Sequence, residues 1–300
     1  MASYRIMTFD GGGIRGALTA NLLKRLNARF PELIEKTDLF AGTSTGSFIA
    51  LGLASGLTPE DLVDLYSEEK GQFIFTPEHL NLLRPKYNNK HLRAVLYSVF
   101  SANLQLKDLK HNVLIPSFRV TGPGAEPWSP VFFNNFPGSA TMNELVVDVA
   151  LASSAAPTYF PSYRNFIDGG VVANNPSTAA VAIAVDKQAG RQNLNDIHLL
   201  SIGTGFNSYR ITADTTEWGV LQWMLHPSPP SPLITVLTDG VVEADARFSS
   251  QLLAGRYFRL NPALPRPVPL DDYKQIPYLV NLAENFDLGP AIDWINDNWF

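Results

Sequence analysis

The chain has 300 residues, 45% apolar and 17% charged, which is the composition of a globular protein with a substantial core. A net charge of −5, with no block of Lys and Arg, excludes nucleic acid as an expected partner. The chain has no cysteine, so disulfides, thiolate nucleophiles and cysteine-ligated zinc are excluded. No charged lead followed by an apolar run opens the sequence, and no apolar stretch reaches the ~18–20 residues of a bilayer span. The expected protein is therefore soluble and cytoplasmic, or a secreted one whose leader has been removed.

Tyr4 to Phe9 is a short β-prone run, the expected first strand, opening into Asp10, Gly11, Gly12, Gly13, Ile14, Arg15 and Gly16. Leu18, Leu22, Leu26 and Phe30 then recur at fourfold spacing, with Arg25 and Arg29 off the stripe, which predicts an amphipathic helix stopped by Pro31. Leu39 to Ser47 reads LFAGTSTGS: a short strand ending at Gly42, a tight turn, and a helix over Phe48 to Leu53. Thr58, Pro59, Glu60 and Asp61 form a helix start, predicting a helix to about Lys70. Phe73 to Tyr87 reads as a loop and Asn89 to Phe100 as a helix.

Asn112 to Thr121 and Val131 to Phe133 are expected strands, an antiparallel excursion around a turn at Gly122 to Pro130. Asn143 to Ser154 is an expected helix with a small-residue tail, and Arg164 to Ile167 a strand delivering Asp168, Gly169 and Gly170. A helix from Pro176 to Gln188 and a buried strand from Ile197 to Ile202 follow. Phe206 to Pro232 is irregular, and a helix after Pro232 carries Ser249 near its end. Arg256 to Leu260 is the last strand, Pro262 to Pro269 a connection, and Asn281 to Phe300 a closing helix. Strands and helices alternate with no repeat and no linker, so one α/β domain with a mostly parallel sheet is expected over 1–300.

Gly42, Ser44 and Gly46 satisfy G-x-S-x-G, the pattern of a nucleophile elbow. The turn strains the central residue and leaves its hydroxyl exposed above a helix N-terminus. On the pattern alone, a tight strand-to-helix connection explains these residues equally well.

The glycine loop also has two readings. Gly11, Gly13 and Gly16 fit G-x-G-x-x-G, but the acid that dinucleotide binding needs about 20 residues on has only Glu32, Glu35 and Asp38 as candidates. None of these closes an evident second strand. Alternatively, three consecutive glycines let backbone N–H groups approach an oxyanion, where losing one donor costs ~100–1000-fold in rate.

None of the five histidines (His79, His91, His111, His198 and His226) carries a supporting motif, and each is expected to be exposed or satisfied in the core. Asp168 ends a strand before two glycines. Desolvated against a serine hydroxyl, it would gain basicity over its ordinary pKa of ~3.9, which makes a Ser–Asp pair workable.

With these residues in hand, the sequence resembles the patatin-like phospholipase family. DGGGIRG at Asp10–Gly16, GTSTG at Gly42–Gly46 and DGG at Asp168–Gly170 match its three signatures, in order. ASSAAPTYFP at Ala152–Pro161, Asn174-Asn175-Pro176 and LSIGTG at Leu200–Gly205 resemble its supporting stretches. The resemblance covers a core of about 1–205, leaving 206–300 as a variable part packed on the same domain. It implies a three-layer α/β/α sandwich and a lipid acyl hydrolase acting on phospholipids, galactolipids or related lipids. Ser44 would be the nucleophile, Asp168 the base, and the backbone of Gly11, Gly12 and Gly13 the oxyanion hole. Arg15 would steady the loop or meet substrate phosphate, with no metal or cofactor required.

A non-catalytic lipid-binding or storage protein on the same scaffold is the rival reading. Trp218, Trp223, Met224 and Leu225 suggest a lip that meets a peripheral membrane surface, although burial is the commoner fate of tryptophan.

Overall fold

The computed structural model describes residues 3–79, 83–121, 127–207, 211–226 and 232–300. In chain order the strands are β1 (Tyr4–Phe9), β2 (Leu39–Gly42), β3 (Asn112–Arg119), β4 (Ser129–Asn134), β5 (Phe166–Asp168), β6 (Ile197–Ile202), β7 (Phe206–Asn207), β8 (Tyr257–Leu260) and β9 (Ala263–Leu264). The first half holds helices α1 (Gly16–Arg29), α2 (Thr45–Ser55), α3 (Pro59–Leu65), α4 (Glu68–Ile74), α5 (Asn89–Val99) and α6 (Val146–Ser153). The second half holds α7 (Gly170–Ala173), α8 (Ser177–Val185), α9 (Val220–Leu225), α10 (Pro232–Leu253), α11 (Ile276–Asn285) and α12 (Gly289–Asn298).

Seven strands make one sheet in the order β4-β3-β2-β1-β6-β8, with β5 also on β3, while β7 and β9 pair only with each other. The five strands from β3 to β8 run parallel, and β4 and β5 are antiparallel to β3. Alternation along each strand sends side chains into two cores, as a sheet covered on both faces requires. Met7, Phe9, Phe40, Val113, Ile115 and Leu200 face the core built with α1, α2, α5, α6 and α11. Tyr4, Ile6, Leu39, Ala41, Leu114 and Leu199 face a smaller core closed by α8. The fold is a helix–sheet–helix sandwich with a mostly parallel sheet.

One detail of β3 governs the site. Its residues 112–114 pair with β2 and its residues 117–119 with β5, while β4 pairs with residues 114–119 along the opposite edge. β2 and β5 therefore lie end to end on the same edge of β3, with their C-terminal ends facing each other. Pro116, which has no N–H to give a ladder, falls in the gap between them.

Several elements differ from expectation. α1 is buried around most of its girth, Ala17, Ala20 and Leu23 included, because α11 covers its outer side. The helix begun at Thr58 breaks after Leu65: Ser67 takes an extended backbone and its hydroxyl accepts Lys70 N–H, starting a second helix, α4, before the expected end at Lys70 and carrying it into the expected loop as far as Ile74. α6 starts only at Val146, because Glu144 accepts Leu106 N–H and Leu145 bridges Gln105. Arg164 and Asn165 have φ of 45° and 74°, so they turn the chain and β5 begins at Phe166.

The expected Pro176–Gln188 helix ends at Val185, and α7 is an unforeseen helical turn. The closing helix is two helices, α11 and α12, broken over 286–288. There Arg25 donates to the carbonyls of Ala283 (2.5 Å) and Phe286 (2.8 Å), satisfying the end of α11. Part of the expected turn at Gly122–Pro130 and most of the proline stretch after His226 lie outside the described residues. No described helix is long and apolar enough to cross a membrane.

Candidate active site

β2 ends at Gly42 and α2 begins at Thr45, which leaves Ser44 to make the whole reversal at φ 53°, ψ −122°. A non-glycine residue there carries ~1–3 kcal/mol of strain and persists only where its surroundings over-determine it. They do. Ser44 N–H donates to Ser153 Oγ (3.0 Å), Thr43 N–H to Phe9 O (3.1 Å) and Thr43 Oγ1 to Ala173 O (2.6 Å). Ser47 Oγ donates to Ser44 O (2.5 Å). Gly46 must be glycine, since a Cβ there would lie 2.3 Å from Phe9 O. From Ala41 to Ala50 only Ser44 is not buried.

Asp168 ends β5 opposite this turn, as the end-to-end strands dictate. Ser44 Oγ donates to Asp168 Oδ2 (2.7 Å), and Gly170 N–H donates to Asp168 Oδ1 (2.7 Å). Burial raises the Asp168 carboxyl and these two hydrogen bonds lower it, with the balance pushed up to about 6. Gly169 lies against Pro116 O, which closes the turn beneath the carboxylate.

The glycine loop sits beside this pair because β1 and β2 are parallel neighbours. Gly11 N–H already donates to Asn174 O (3.0 Å), and Gly11 O accepts from Thr204 Oγ1 (3.0 Å). Gly11 is therefore unavailable as an oxyanion donor. Gly12 and Gly13 N–H have no acceptor among the described residues. Gly13 sits at φ 58° and bends the loop toward the pair.

Asn174 Oδ1, Thr204 Oγ1 and Leu270 O lie where a Cβ of Gly11, Gly12 or Gly13 would stand, so the loop has no room for side chains. Asp38 precedes β2 instead of closing it and accepts Arg5 N–H (2.7 Å), so the dinucleotide reading finds no support. Gly16 opens α1 against Tyr66.

Arg15 is buried, with Nε on Gly12 O (3.3 Å) and Nη1 on Gly205 O (3.4 Å), which suits the role of steadying the loop. Asp10 is not at the reacting centre. Its carboxylate takes both ends of the Arg259 guanidinium, Nη1 to Oδ1 at 2.8 Å and Nη2 to Oδ2, and Nη1 also reaches Ser201 Oγ (2.8 Å).

Ser44, Asp168, Gly12, Gly13 and Arg15 line one cavity of about 340 Å³, within the ~300–1,000 Å³ usual for ligand pockets. Beyond them the wall is apolar, with Phe48, Ile74, Phe75, Leu92, Leu96 and Phe160. Among the described residues no histidine lines it. His111 Nδ1 pairs with Thr37 O (2.8 Å) and His91 stacks on Phe73 (4.2 Å), both elsewhere.

Sequence reasoning missed Ser153, Asn174 and Arg259. The first two act on backbone atoms, which no motif displays. Arg259 left a trace, since a charged residue inside the strand Tyr257–Leu260 calls for a carboxylate partner.

A family model described as patatin-like phospholipase matches residues 7–181, more than half of the chain. Protein teg of Priestia megaterium is 37% identical over 320 aligned residues that cover all of both chains. CotR of Bacillus subtilis, a candidate sporulation hydrolase, is 38% identical over 100% of this chain and 99% of that protein. A cGAMP-activated phospholipase of Pseudomonas aeruginosa is 35% identical over 67% of this chain and 62% of its own length.

Proposed function

The chain belongs to the patatin-like phospholipase family, and from that premise we propose that it is a serine lipid acyl hydrolase whose dyad is Ser44 and Asp168. The observation that carries this reading is the 2.7 Å hydrogen bond from the hydroxyl of a strained, half-buried serine to a buried carboxylate. It lies at the wall of a largely apolar cavity, beside the Gly12 and Gly13 amides, which have no acceptor among the described residues. A relative named as a phospholipase supports a phospholipid ester as substrate, and the apolar wall suits an acyl chain.

In this mechanism Ser44 Oγ attacks the ester carbonyl carbon and its proton passes to Asp168 Oδ2. The carbonyl oxygen becomes an oxyanion, held by Gly12 and Gly13 N–H. The tetrahedral intermediate collapses, the ester C–O bond breaks, and protonated Asp168 returns its proton to the departing alkoxide. Water then attacks acyl-Ser44, losing its proton to Asp168; as the acyl–Oγ bond breaks, Asp168 passes that proton to Ser44 Oγ, releasing the fatty acid and restoring free serine and the carboxylate. Two preorganised amides are worth several kcal/mol at the charged intermediate, at ~100–1000-fold each.

Hydrolysis of a fatty-acyl ester by wild type and Ser44→Ala tests the proposal. The variant should lose at least ~1000-fold of the activity. Retained turnover would remove Ser44 from the chemistry, and an inert wild type would favour the storage or lipid-binding reading.

A further inference from the structure

The site described above accounts for β5, α7 and the glycine loop, but not for α9. This helix has no buried residue, although all but one of its six side chains are apolar. Leu221 and Leu225, one turn apart, are 70% and 62% exposed, and Val220 is 77% exposed. Trp218 packs edge-on against Trp223 (5.2 Å) and stacks near His226 (4.8 Å), forming a half-buried aromatic base beneath the outward leucines. α9 packs on α10, whose first turns also present Leu233 and Val236 to solvent.

Scattered exposed apolar residues need no explanation, but a continuous patch does. The helix that carries part of this patch, α10, also reaches the cavity. α10 packs on α7, and Val241 of α10 and Val171 of α7 line the cavity, Val171 lying three residues beyond Asp168 and itself 44% exposed.

The sequence adds an independent observation. From Trp218 to Thr238, 21 residues, there is no Asp, Glu, Lys or Arg. The other uncharged run of that length, Leu39 to Pro59, is almost wholly buried around the elbow. Such a run is expected in a core; where its described residues Val220, Leu221, Leu225, Leu233 and Val236 are exposed, it calls for an apolar cover.

We propose that α9 and the exposed face of the first turns of α10 form the surface by which this protein seats itself on a lipid layer, next to the mouth through which a lipid reaches Ser44. The inference rests on the lipid-ester reading of the site. The seat carries no charge and the chain is net −5, so attachment comes from burying apolar side chains among acyl chains, with tryptophan at the interface. Anionic headgroups add nothing to it, unlike a polybasic seat.

The test uses the full chain, as wild type and as Leu221→Ser/Leu225→Ser, mixed with phosphatidylcholine vesicles with or without an anionic lipid fraction. Vesicle partition, size-exclusion elution, turnover of a water-soluble short-chain ester and the thermal midpoint are measured for both. Wild type should partition onto neutral vesicles at low and high salt, and the double variant about tenfold less or weaker still, since each leucine forfeits its burial. Soluble-ester turnover and midpoint should hardly change, because both side chains lie on the surface away from the cavity.

Equal partition of the two proteins overturns the proposal, as does partition that needs anionic lipid and vanishes in salt. Loss of soluble-ester turnover in the variant makes α9 a structural part instead, and a wild-type dimer that the variant lacks makes the patch a self-association face. Vesicle partition without ester turnover in wild type would sink the hydrolase reading while leaving the seat intact.

Discussion

A carboxylate at its ordinary pKa is a weak base for a serine hydroxyl, and burial is what strengthens Asp168. That strengthening has a stability consequence. The folded-state pKa, pushed up to about 6, lies above the unfolded value of ~3.9. Asp168 therefore contributes stability in full below pH ~3.9 and loses it as pH rises through 6, by roughly 3 kcal/mol in all. Asp168→Asn does not titrate there, so wild type should lose stability relative to this variant between pH 4 and pH 7. Asp245, also pushed up to about 6 by burial, is common to both proteins and cancels. Denaturant midpoints that keep a constant difference across that range would contradict the shift.

Ser153 acts at the same scale: its Oγ accepts from Ser44 N–H and donates to Pro116 O (2.6 Å). Ser153→Ala leaves Ser44 N–H without its acceptor, at ~1–3 kcal/mol, and releases the backbone that aims the hydroxyl. kcat should fall about 10–100-fold with KM nearly unchanged. A variant that loses thermal stability but keeps its kcat would make Ser153 a packing residue only.

At the scale of elements, the joint between β8 and β1 carries the strongest prediction. The Asp10–Arg259 pair is buried and bidentate, and it ties the last parallel strand to the start of the glycine loop. Arg259→Met strands a buried carboxylate and should cost about 3–5 kcal/mol, much of it recovered in Asp10→Asn/Arg259→Met. Additive losses in that cycle would mean that the two residues do not act as a pair.

The elements also mark how far the sequence could be read. β1, the elbow, β6 and the cap at Thr58 were legible because each rests on local chemistry: short apolar β-prone runs, a glycine pair, a capping threonine before proline and acids. The break at Ser67 and the division into α11 and α12 were not, because both are settled by partners far along the chain. Arg25 reaches Ala283 and Phe286 across more than 250 residues, and Tyr66 hydroxyl finds Thr45 O (2.6 Å). The same distinction holds within the site. Ser44 and Asp168 were visible as side chains in motifs, whereas the engagement of Gly11 by Asn174 O is a backbone contact that no residue pattern displays.

Across the whole molecule, the arrangement depends on sheet order. Placing β2 and β5 end to end along β3 brings the hydroxyl of Ser44 and the carboxylate of Asp168 together at the facing strand ends. β1 alongside β2 adds the glycine amides, and α4 and α5 supply the apolar wall. Nothing in this assembly recruits an imidazole.

The rate at which a fluorophosphonate labels Ser44, followed by intact-protein mass as a function of pH, tests that most directly. The rate should rise with a single ionisation near pH 6, collapse in Asp168→Asn and remain unchanged when any one of the five histidines is replaced. Undiminished labelling of Asp168→Asn, or its loss on replacing a histidine, would contradict the account.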